Sequence, residues 1–505
     1  MLGLNETLYD SFMLNNALLS VSQMTMADNA AIAAGIAGVR LMEAAGKGAC
    51  DAITNRWQPR PVIVLCGPGN NGGDGFVVAR LLAASGWPVR LASLGDVKNL
   101  KGDAAINAEA WTGPVLPLDP ELLGDDDLVV DALFGAGLSR PLEGEAKDVI
   151  NAINQQGLDC VGIDVPSGVD GDSGEILGSA PKCVLCVTFF RRKPGHLLLP
   201  GRELMGEVVV VDIGIPETVL EQIKPDIFAN GPGFWLSRFP RPQAGDNKYD
   251  RGHALIVGGA EMTGAARLAA TAARRIGAGL ATIAAPAAAI EAYAAGDPGN
   301  IISSAEGVEA FEELLSDRRK NVVLIGPGCG RGGRTRDLVL AALGSGKATV
   351  LDADALSVFS DDPETLFAAI ATAGIVLLTP HDGEFRRIFN IKDDKLKQVR
   401  EASLQSGAVV LLKGADTVIA APDGRAIINE GAPPTLATAG SGDVLAGFAT
   451  GLLAQTMDAF DAAAAACWLH GQAAMAFGPG LIAEDLAAAL SGVLRGLEID
   501  GNNQS

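Results

Sequence analysis

Short continuous apolar runs alternate along the first half of the chain with stretches whose apolar residues recur at helical spacing. The runs predict strands and the periodic stretches predict helices. Strands that alternate with helices imply an α/β fold built on a parallel sheet with right-handed crossovers. Two strands are predicted over residues 61–66 and 88–94. Two more are predicted to begin at residues 128 and 160 and to end near Asp131 and Asp164. Helices are predicted over residues 26–52 and 76–85.

The second half repeats this alternation after residues 215–246, a Pro-containing segment with neither helical nor strand period. We expect a join there, between domains at residues 1–225 and 226–505, because 505 residues are long for one core. Strands are predicted within residues 253–259, 280–286, 321–330, 348–356, 374–384 and 407–422. A helix is predicted over residues 263–276. Two further helices are predicted in Ala-rich stretches, one that begins within residues 439–447 and one that contains His470.

The composition fits an α/β enzyme, since 48% of the residues are hydrophobic and 20% are charged. The formal net charge of −21 argues against a broad nucleic-acid surface, because such binding depends on neutralising phosphates. A bound nucleotide must therefore be held by local groups.

Seven cysteines are dispersed along the chain, and its first residues have neither the basic region nor the apolar core of a signal peptide. We therefore expect a reducing, cytoplasmic setting. Cys183 and Cys186 form a C-x-x-C pair inside an apolar run, without a second ligand pair, which favours a buried strand over a zinc site. Apolar stretches are broken before they reach the ~18 residues of a membrane span.

Two glycine-rich segments, GPGNNGGDG at residues 67–75 and AGSGDVLAG at residues 439–447, each lie between a predicted strand and a predicted helix. Glycine lets backbone approach an anion, and a helix start adds N–H groups and the positive end of a dipole. Both segments therefore predict phosphate binding. In the second, the N–H groups of Gly440 to Gly442 would form an anion hole, with Asp443 placed to exchange a proton with a hydroxyl. Neither Gly-Lys dipeptide is followed by Ser or Thr, which excludes a Walker-type loop.

Polar residues follow the predicted strands of the first half, at the sheet edge where ligands collect. They are Asn70, Asn71, Asp74, Asp131, Asp164 and Ser167. An Asp after a strand is also a common helix cap or turn residue. The G-x-G-x-x-G pattern that begins at Gly67, together with Asp96, also fits a dehydrogenase. The extra Asn-Asn and Gly-Gly-Asp before the helix favour a substrate or ion pocket instead.

Four segments in order resemble the NAD(P)H-hydrate epimerase family, which has a Rossmann-like fold: LMEAAG from Leu41, CGPGNNGGDG from Cys66, VVDALFGAGLSRP from Val129 and IDVPSGVDGDSG from Ile163. The resemblance covers about residues 25–220 and implies interconversion of the R and S forms of NADH or NADPH hydrated at C6 of the nicotinamide ring. Family members often have Asn where this chain has Ala44. The resemblance places the hydrate at Asn70, Asn71, Gly72, Gly73, Asp74, Gly135, Ala136, Gly137, Leu138, Ser139, Arg140, Pro141 and Asp164, and a potassium ion at Asn71, Asp131 and Ser167.

Epimerisation requires a group that moves protons at the hydrated ring, and we expect Asp164 to be that group, with Lys182 as a candidate helper. A carboxylate at a strand end that a ligand desolvates has its pKa raised toward the working pH. The alternative is an Asp bonded to its own Pro-Ser-Gly turn.

In the second half, polar residues again follow the apolar runs. They are Asp352, Asp354, His381, Glu384 and Lys413, beside the glycines Gly328 and Gly330. His381 has an alternative role as a cap of the turn after its strand. Lys413 follows the apolar run VVLL, and a binding role is favoured there because an unpaired buried ammonium is costly.

AGSGDVLAG resembles the signature of ribokinase-like folds, and the surrounding segments are similar to the ADP-dependent NAD(P)H-hydrate dehydratase family over about residues 247–490. These segments are NKYDRGHALIVGG, GPGCG, LDADAL, LTPHDGEF, LLKGADTVIA and the dipeptide His470-Gly471. The resemblance implies removal of water from the S hydrate, coupled to cleavage of ADP into AMP and phosphate. It places the hydrate at Ala265, Gly328, His381 and Asp443, and the adenine nucleotide at Lys413, Gly414, Ala415, Asp416, Thr417 and Gly442.

Together the resemblances imply a bifunctional repair enzyme of two three-layer α/β/α domains, Rossmann-like and then ribokinase-like, that uses ADP as co-substrate with K⁺ and Mg²⁺. The expected partners are NADHX, NADPHX and ADP, in a homo-oligomer, with no nucleic acid and no membrane. Because hydroxide leaves poorly, phosphoryl transfer to the C6 hydroxyl would ease elimination, with Asp443 as base. The alternative is a ribokinase-like small-molecule kinase whose N-terminal domain only binds nucleotides or proteins.

Overall fold

The computed structural model describes residues 14–502 and divides them into two compact units. Ala17–Ile227 forms the N-terminal unit, and the chain from Phe228 onward forms the C-terminal unit together with residues 14–16. The N–H of Ala229 donates to the carbonyl oxygen of Asn16 at 2.8 Å. The chain therefore leaves the C-terminal unit and re-enters it at neighbouring points, and the N-terminal unit is nested within the sequence of the other.

The N-terminal unit is built on a seven-stranded sheet whose pairings are all parallel, as the alternating pattern predicts. Its strands are β2 (Val62–Cys66), β3 (Val89–Ser93), β4 (Leu116–Pro117), β5 (Leu128–Ala132), β6 (Asp159–Ile163), β7 (Leu185–Phe189) and β8 (Glu207–Val211), after a two-residue β1 (Ala17–Leu18). They lie in the order β4-β3-β2-β5-β6-β7-β8. Every residue of β2, β5 and β7 is buried, which explains why these strands are continuous apolar runs.

The N-terminal helices differ from the predicted ones at the start of the unit. They are α1 (Val21–Ala33), α2 (Gly38–Arg56), α3 (Asn70–Ala84), α4 (Gly102–Glu109), α5 (Gly144–Gln156) and α6 (Val219–Ile223). The single helix predicted over residues 26–52 is wrong, because two helices flank a turn at Gly35, where φ is 96°. Glycine adopts that left-handed conformation without a Cβ clash.

Helix α3 begins at Asn70 rather than at residue 76, so NNGGD forms helical turns instead of a loop. A Cβ on Gly67 would lie 1.7 Å from the carbonyl oxygen of Leu133, and one on Gly72 would lie 1.9 Å from the carbonyl oxygen of Gly67. These glycines therefore allow the helix start to pack directly on two strand ends. The contact brings Asn71 and Asp74 to the carboxyl edge of the sheet.

The C-terminal unit has a mostly parallel sheet with an antiparallel hairpin toward one side. Its strands are β9 (Ile227–Ala229), β10 (His253–Val257), β11 (Leu280–Ala285), β12 (Ile301–Ser304), β13 (Val322–Ile325), β14 (Ala348–Leu351), β15 (Val376–Leu378), β16 (Val409–Leu412), β17 (Val418–Ala420) and β18 (Ala426–Ile428). Their order is β9-β18-β17-β16-β15-β14-β13-β10-β11-β12. The pairings from β12 through β16 are parallel, whereas β16, β17 and β18 pair antiparallel.

Helices connect these strands and end the unit. They are α7 (Pro232–Trp235), α8 (Thr263–Arg275), α9 (Ile290–Ala294), α10 (Val308–Ser316), α11 (Gly333–Gly344), α12 (Asp354–Ser357), α13 (Pro363–Ile370), α14 (Asp382–Ile388), α15 (Lys395–Ser406), α16 (Ser441–Ala454), α17 (Ala459–Phe477) and α18 (Ala483–Asn502). The predicted helix over residues 263–276 and both predicted Ala-rich helices are present as α8, α16 and α17.

The segment at residues 215–246 is more ordered than its composition predicts, since it contains α6, β9 and α7. Phe234 and Trp235 are fully buried. The guanidinium of Arg238 contacts the buried carboxylate of Asp461 on α17, with Nη2 donating to Oδ1 at 2.5 Å. Helical spacing did not reveal α7 because the helix is a single turn.

The cysteine pair Cys183 and Cys186 is buried at the strand β7, as expected for a structural role. Within residues 14–502, no group of three or more His, Cys, Asp and Glu side chains is arranged to hold a metal ion. Across the same residues, no helix combines the length and the apolar character needed to cross a bilayer.

The helix that carries the second glycine segment packs closely on α8. A Cβ on Gly447 would lie 2.4 Å from the carbonyl oxygen of Ala269, and one on Gly451 would lie 2.4 Å from the carbonyl oxygen of Ala273. Glycine thus sets the separation of α16 and α8, and with it the position of the residues at the start of α16.

We expect Gly447→Ala to destabilise the protein by about 1–3 kcal/mol, because the added methyl group must push α16 away from α8. Gly344→Ala is the matched control, since Gly344 is also helical and has no atom within 4 Å of its Cβ position. The control should be neutral or slightly stabilising. Thermal unfolding followed by circular dichroism measures both, and equal midpoints for the two variants would contradict the packing argument.

Candidate active sites

A cavity of about 560 Å³ opens at the carboxyl ends of the N-terminal strands. Most of the hydrate contacts implied by the resemblance line it. They are Asn70, Asn71, Asp74, Gly135, Ala136, Gly137, Leu138, Ser139, Arg140 and Asp164. Gly72, Gly73 and Pro141 lie outside this lining. The two glycines instead allow close packing, since a Cβ on Gly73 would lie 2.6 Å from the sulfur of Met42.

Asp164 directly follows β6 and is held in a left-handed conformation, with φ of 69°. Its Oδ2 accepts a hydrogen bond from the N–H of Ala136 at 2.9 Å, and its Oδ1 accepts one from Oγ1 of Thr188 at 3.1 Å. The bond to Ala136 links the carboxylate to the loop that follows β5. Asp164 is therefore fixed at the cavity wall by groups from three strand ends.

The ammonium of Lys193 contacts the same carboxylate, with Nζ 2.5 Å from Oδ1 of Asp164, and it also donates to Oγ1 of Thr188 at 2.9 Å. Burial by itself would raise the pKa of Asp164, but the charge and hydrogen bond of Lys193 outweigh it and hold that pKa below its usual value. The raised pKa that the sequence predicts for the carboxylate when a ligand desolvates it stays a prediction. The predicted helper is wrong, because Lys182 is exposed and lies outside the cavity lining.

His196 ties the backbone of this pair together. Its Nδ1 accepts a hydrogen bond from the N–H of Lys193 at 3.0 Å, and its Nε2 lies 2.9 Å from the carbonyl oxygen of Asp164. Burial and the nearby charge of Lys193 lower the pKa of His196 to about 4. The imidazole is thus neutral at physiological pH, with its proton on Nε2, and it holds Asp164 in its left-handed conformation.

Asp74 on α3 and Asp28 on α1 also line the cavity, and both have a raised pKa. Burial raises the pKa of Asp74 well above its usual value, and the charges of Asp164 and Asp28 add to this effect. Burial also raises the pKa of Asp28 to about 6, against the opposing charge of Lys193. The cavity therefore contains carboxyl groups of very different acidity.

Sequence reasoning does not single out Lys193, His196 or Asp28. The first two lie in RRKPGH, which directly follows the apolar run of β7. The rule that ligands collect at strand ends would have indicated this segment. Asp28 lies inside a helical stretch and gives no comparable signal.

The three oxygen ligands that the resemblance implies for potassium lie at adjacent strand ends. Oδ2 and Oδ1 of the buried Asp131 accept from the N–H and the hydroxyl of Ser167, at 2.7 and 2.6 Å. The amide of Asn71, in the orientation that satisfies its neighbours, donates to Ile163 at 3.0 Å and accepts from Gly135 at 3.2 Å. Burial raises the pKa of Asp131 to about 6 despite its hydrogen bonds. A cation here would offset that buried negative charge, so the donor set fits potassium.

The C-terminal unit assembles a second ion pair at the ends of β14 and β16. Nζ of Lys413 donates to Oδ1 of Asp352 at 2.6 Å, and Oγ1 of Thr379 donates to the same oxygen at 3.0 Å. Burial by itself would lower the pKa of Lys413, but the charge of Asp352 outweighs it and the pKa is raised. The ammonium that follows VVLL is thus charged and paired. Its side chain is 18% exposed, whereas that of Asp352 is 2% exposed.

The second glycine segment places a helix start beside this pair. Gly440, with φ of 88°, precedes the first residue of α16, and no side chain caps the helix. A Cβ on Gly442 would lie 3.4 Å from Nζ of Lys413. Burial raises the pKa of Asp443 in the same turn to about 6, with Asp352 adding to the shift and Lys413 opposing it. The arrangement places N–H groups, an ammonium and a weakly acidic carboxyl group around one point.

His381 is the N-cap of α14, so the capping role left open by the sequence is present. Its Nδ1 accepts from the N–H of Gly383 at 2.9 Å, and its Nε2 lies 3.3 Å from Oε1 of Glu384. The side chain is nevertheless 55% exposed, and the residue pairs with Lys413 in a parallel bridge. His381 therefore caps the helix and borders the ion pair at the same time.

The loop after β13 packs against the start of α8. Gly328, with φ of 66°, lies against the first turn of α8, where a Cβ on it would be 3.2 Å from the Cβ of Ala265. The N–H of Gly330 donates to Oδ2 of Asp354 at 2.9 Å. Gly328 and Ala265, which the resemblance assigns to one ligand, are therefore neighbours.

The segment implied for the nucleotide, Lys413 to Thr417, is a turn with internal support. Oγ1 of Thr417 donates to the carbonyl oxygen of Gly414 at 2.8 Å and accepts from its N–H at 3.1 Å. Asp416 is buried and forms an ion pair with Lys395 of α15. The carboxylate of Asp416 therefore also has a structural role.

Two family models match the chain, one in each unit. Residues 38–195 match the model described as the YjeF-related protein N-terminus, and residues 254–491 match the model described as NAD(P)H-hydrate dehydratase.

Similar proteins span nearly the whole chain. It is 37% identical to a bifunctional NAD(P)H-hydrate repair enzyme of Moorella thermoacetica, over 92% of this chain and 93% of that protein. It is 34% identical to the enzyme of the same name from Coxiella burnetii, over 90% of this chain and 93% of that protein. The solved ADP/ATP-dependent NAD(P)H-hydrate dehydratase of Bacillus subtilis is 27% identical, with a TM-score of 0.46, over 53% of this chain and 97% of that one.

We expect Lys193→Met to destabilise the protein by about 3–5 kcal/mol at neutral pH, because it leaves the Asp164 carboxylate buried without its cation. A carboxyl group whose pKa is lowered in the folded state contributes stability above its unfolded pKa, near 4, and loses it as the pH falls through the folded pKa. In the variant, burial without Lys193 raises the pKa of Asp164 above that unfolded value, so the difference between wild type and variant should begin to shrink above pH 4 and continue to shrink below it. Urea unfolding across this pH range measures it.

The control for this variant is Lys47→Met, which removes the ammonium of the exposed pair Lys47–Asp51. It should leave the unfolding midpoint unchanged. An equally small effect of Lys193→Met would contradict the buried pair as a stabilising element.

Proposed function

Since the chain belongs to the family of bifunctional NAD(P)H-hydrate repair enzymes, we propose that its two units catalyse the two successive steps of that repair. The N-terminal unit interconverts the R and S forms of hydrated NADH or NADPH. The C-terminal unit removes water from the S form with ADP as co-substrate, giving NAD(P)H, AMP and phosphate. The observation that carries the proposal is that each unit has a Lys–Asp ion pair at its strand ends and, on a nearby helix, a carboxyl group of raised pKa on which the charges of that pair act.

In the N-terminal step, Asp164 and Lys193 act as one unit on the protons of the hydrated ring. The carboxylate is the more exposed partner, at 18% against 2% for Lys193, so it is the edge that meets the ligand. The buried ammonium keeps it ionised and supplies a proton that can be shared through Oδ1. Residues 135–140 and Asn70 line the remaining wall around the ring.

Potassium would be held by the Asp131 carboxylate, the Ser167 hydroxyl and the Asn71 amide oxygen. When bound, it supplies a positive charge behind the loop after β5. Ser167 already accepts from the N–H of Phe134 in that loop at 2.9 Å. Ser167 thus helps to fix residues 134–136. These include Ala136, whose N–H donates to the Asp164 carboxylate.

In the C-terminal step, Asp443 takes the proton of the C6 hydroxyl, whose oxygen then attacks the terminal phosphorus of ADP. The bond from that phosphorus to AMP breaks, and the phosphorylated carbon afterwards loses phosphate together with a proton from C5. The N–H groups at the start of α16 and the Lys413 ammonium face the charge that develops on the phosphoryl group. Hydroxide, a poor leaving group, is thereby replaced by phosphate.

The nucleotide contacts follow the same geometry. Residues 413–417 form the turn that would hold ADP, and Gly442 lies next to the Lys413 ammonium. Mg²⁺ would accompany the phosphates of the nucleotide, because Mg²⁺ is usually held by one or two carboxylates together with substrate phosphates. Ala265, Gly328 and His381 would border the hydrated ring. A preference for ADP, a homo-oligomeric state and a cytoplasmic setting stay predictions from the sequence.

Two variants, one in each unit, test whether each unit catalyses one of the two steps. Asp164→Asn should abolish interconversion of the R and S hydrates and leave dehydration of pure S hydrate with ADP intact. Asp443→Ala should do the reverse, with losses of at least about 100-fold in each case. Chromatography of the two epimers and recovery of the absorbance of the reduced ring measure the two steps. Loss of both activities in either variant would contradict separate sites.

The dehydration step should also depend on pH through Asp443. A base must be unprotonated to act, so the rate with pure S hydrate and ADP should fall as the pH drops through about 6, the raised pKa of Asp443. Lys413→Met removes the positive charge that lowers this pKa, so the fall should begin at higher pH. A profile that keeps the same midpoint in Lys413→Met would rule out this coupling.

A further inference from the structure

Asp28 lies on α1, a helix outside the residues matched by the family models, yet it lines the same N-terminal cavity as Asp164 and Lys193. The helix is fixed at its start, because Ser20 and Gln23 form a capping box and the N–H of Val21 donates to Oδ1 of Asp172 at 2.8 Å. Asp28 is therefore held at the cavity by a rigid element.

The charges around Asp28 define what it can do. Among the residues that the structure describes, six with ionisable side chains line the cavity: Asp28, Asp74, Asp103, Arg140, Asp164 and Lys193. Helix α6, which packs against α1, adds the exposed Glu221. Lys193 and Asp164 are near enough for their charges to act on Asp28 in opposite directions.

Asp164 by itself is a poor proton acceptor in this setting. Its Oδ1 already accepts from Lys193 and Thr188, and its Oδ2 from Ala136. These bonds stabilise the ionised form and weaken its basicity. No residue in the described part of the chain forms such an ion pair with Asp28, and its raised pKa, about 6, suits a group that gains and loses a proton near neutral pH.

Epimerisation at C6 needs two proton-transfer positions, because C6 carries both the hydroxyl and the ring nitrogen. When the C6–N1 bond breaks, its electron pair stays on nitrogen, which takes up a proton, and the hydroxyl loses its proton as C6 becomes an aldehyde carbon. Rotation about the C5–C6 bond then exposes the other face of the aldehyde. Closure returns the proton to oxygen, releases the proton from nitrogen and inverts C6, without any oxidant or reductant.

We propose that Asp28 is a second catalytic residue of this step, which takes the proton of the C6 hydroxyl while the Lys193–Asp164 pair supplies a proton to the ring nitrogen. The two groups belong to different elements of the same cavity, α1 and the ends of β6 and β7. The hydrated ring would lie between them. This inference rests on the proposed epimerase function of the N-terminal unit.

The test is Asp28→Asn in the full chain, assayed from pure R hydrate by chromatographic appearance of the S form over a range of pH. The interconversion rate at saturating hydrate should fall by about 100-fold or more. The loss of rate that the wild type shows as the pH drops through about 6 should disappear, because the titrating group is gone. Asp28→Glu, which keeps a carboxyl group, should restore the pH dependence and part of the rate.

Glu221→Gln is the matched control, since it neutralises an exposed acid on the neighbouring helix and should leave rate and pH profile unchanged. A wild-type rate in Asp28→Asn would overturn the proposal, as would a lower rate that keeps the wild-type pH profile. If the wild type itself fails to interconvert the hydrates, the proposed epimerase function is wrong. Dehydration of pure S hydrate by the same sample shows that the chain is folded.

Discussion

A buried ammonium paired with a carboxylate is the interaction on which each site depends. Removing either charge from water is costly, so the partner must be present and its position is fixed by the fold. The two units differ in which partner of the ion pair is the more exposed. In the N-terminal unit the lysine is 2% and the aspartate 18% exposed, and in the C-terminal unit the aspartate is 2% and the lysine 18% exposed. The carboxylate is therefore the more exposed partner at the first site, and the ammonium is the more exposed partner at the second.

Close backbone packing brings the remaining groups to these pairs. Gly67 and Gly72 let the start of α3 rest on carbonyl groups at two strand ends, and Gly447 does the same for α16 on α8. Near the start of each of these helices lies an acidic side chain, Asp74 in the second turn of α3 and Asp443 in the first turn of α16. Burial raises the pKa of both carboxyl groups.

The two sheets and many of the site residues could be predicted from the sequence, because buried parallel strands are continuous apolar runs and polar residues follow their ends. That reasoning finds Asp164, Asp352, Lys413 and Asp443, and the resemblance adds the chemistry. It cannot find the direction of the pKa shift of Asp164, which depends on Lys193 at a separation of 29 residues. Nor can it find the turn at Gly35 that divides α1 from α2, since helical spacing continues across it. Asp28 becomes visible only when α1 folds over the cavity.

The nesting of the N-terminal unit has a consequence for how the gene can be divided. A single cut after Ile227 would separate Asn16 from Ala229, whose N–H it accepts, and would leave residues 14–16 on the wrong fragment. Excision of one continuous segment, by contrast, leaves two chain ends that already lie side by side. Insertion and loss of whole domains are tolerated where chain ends lie close together. One in-frame deletion or insertion at this point would therefore remove or add the first catalytic step as a unit, without crossing the core of the second.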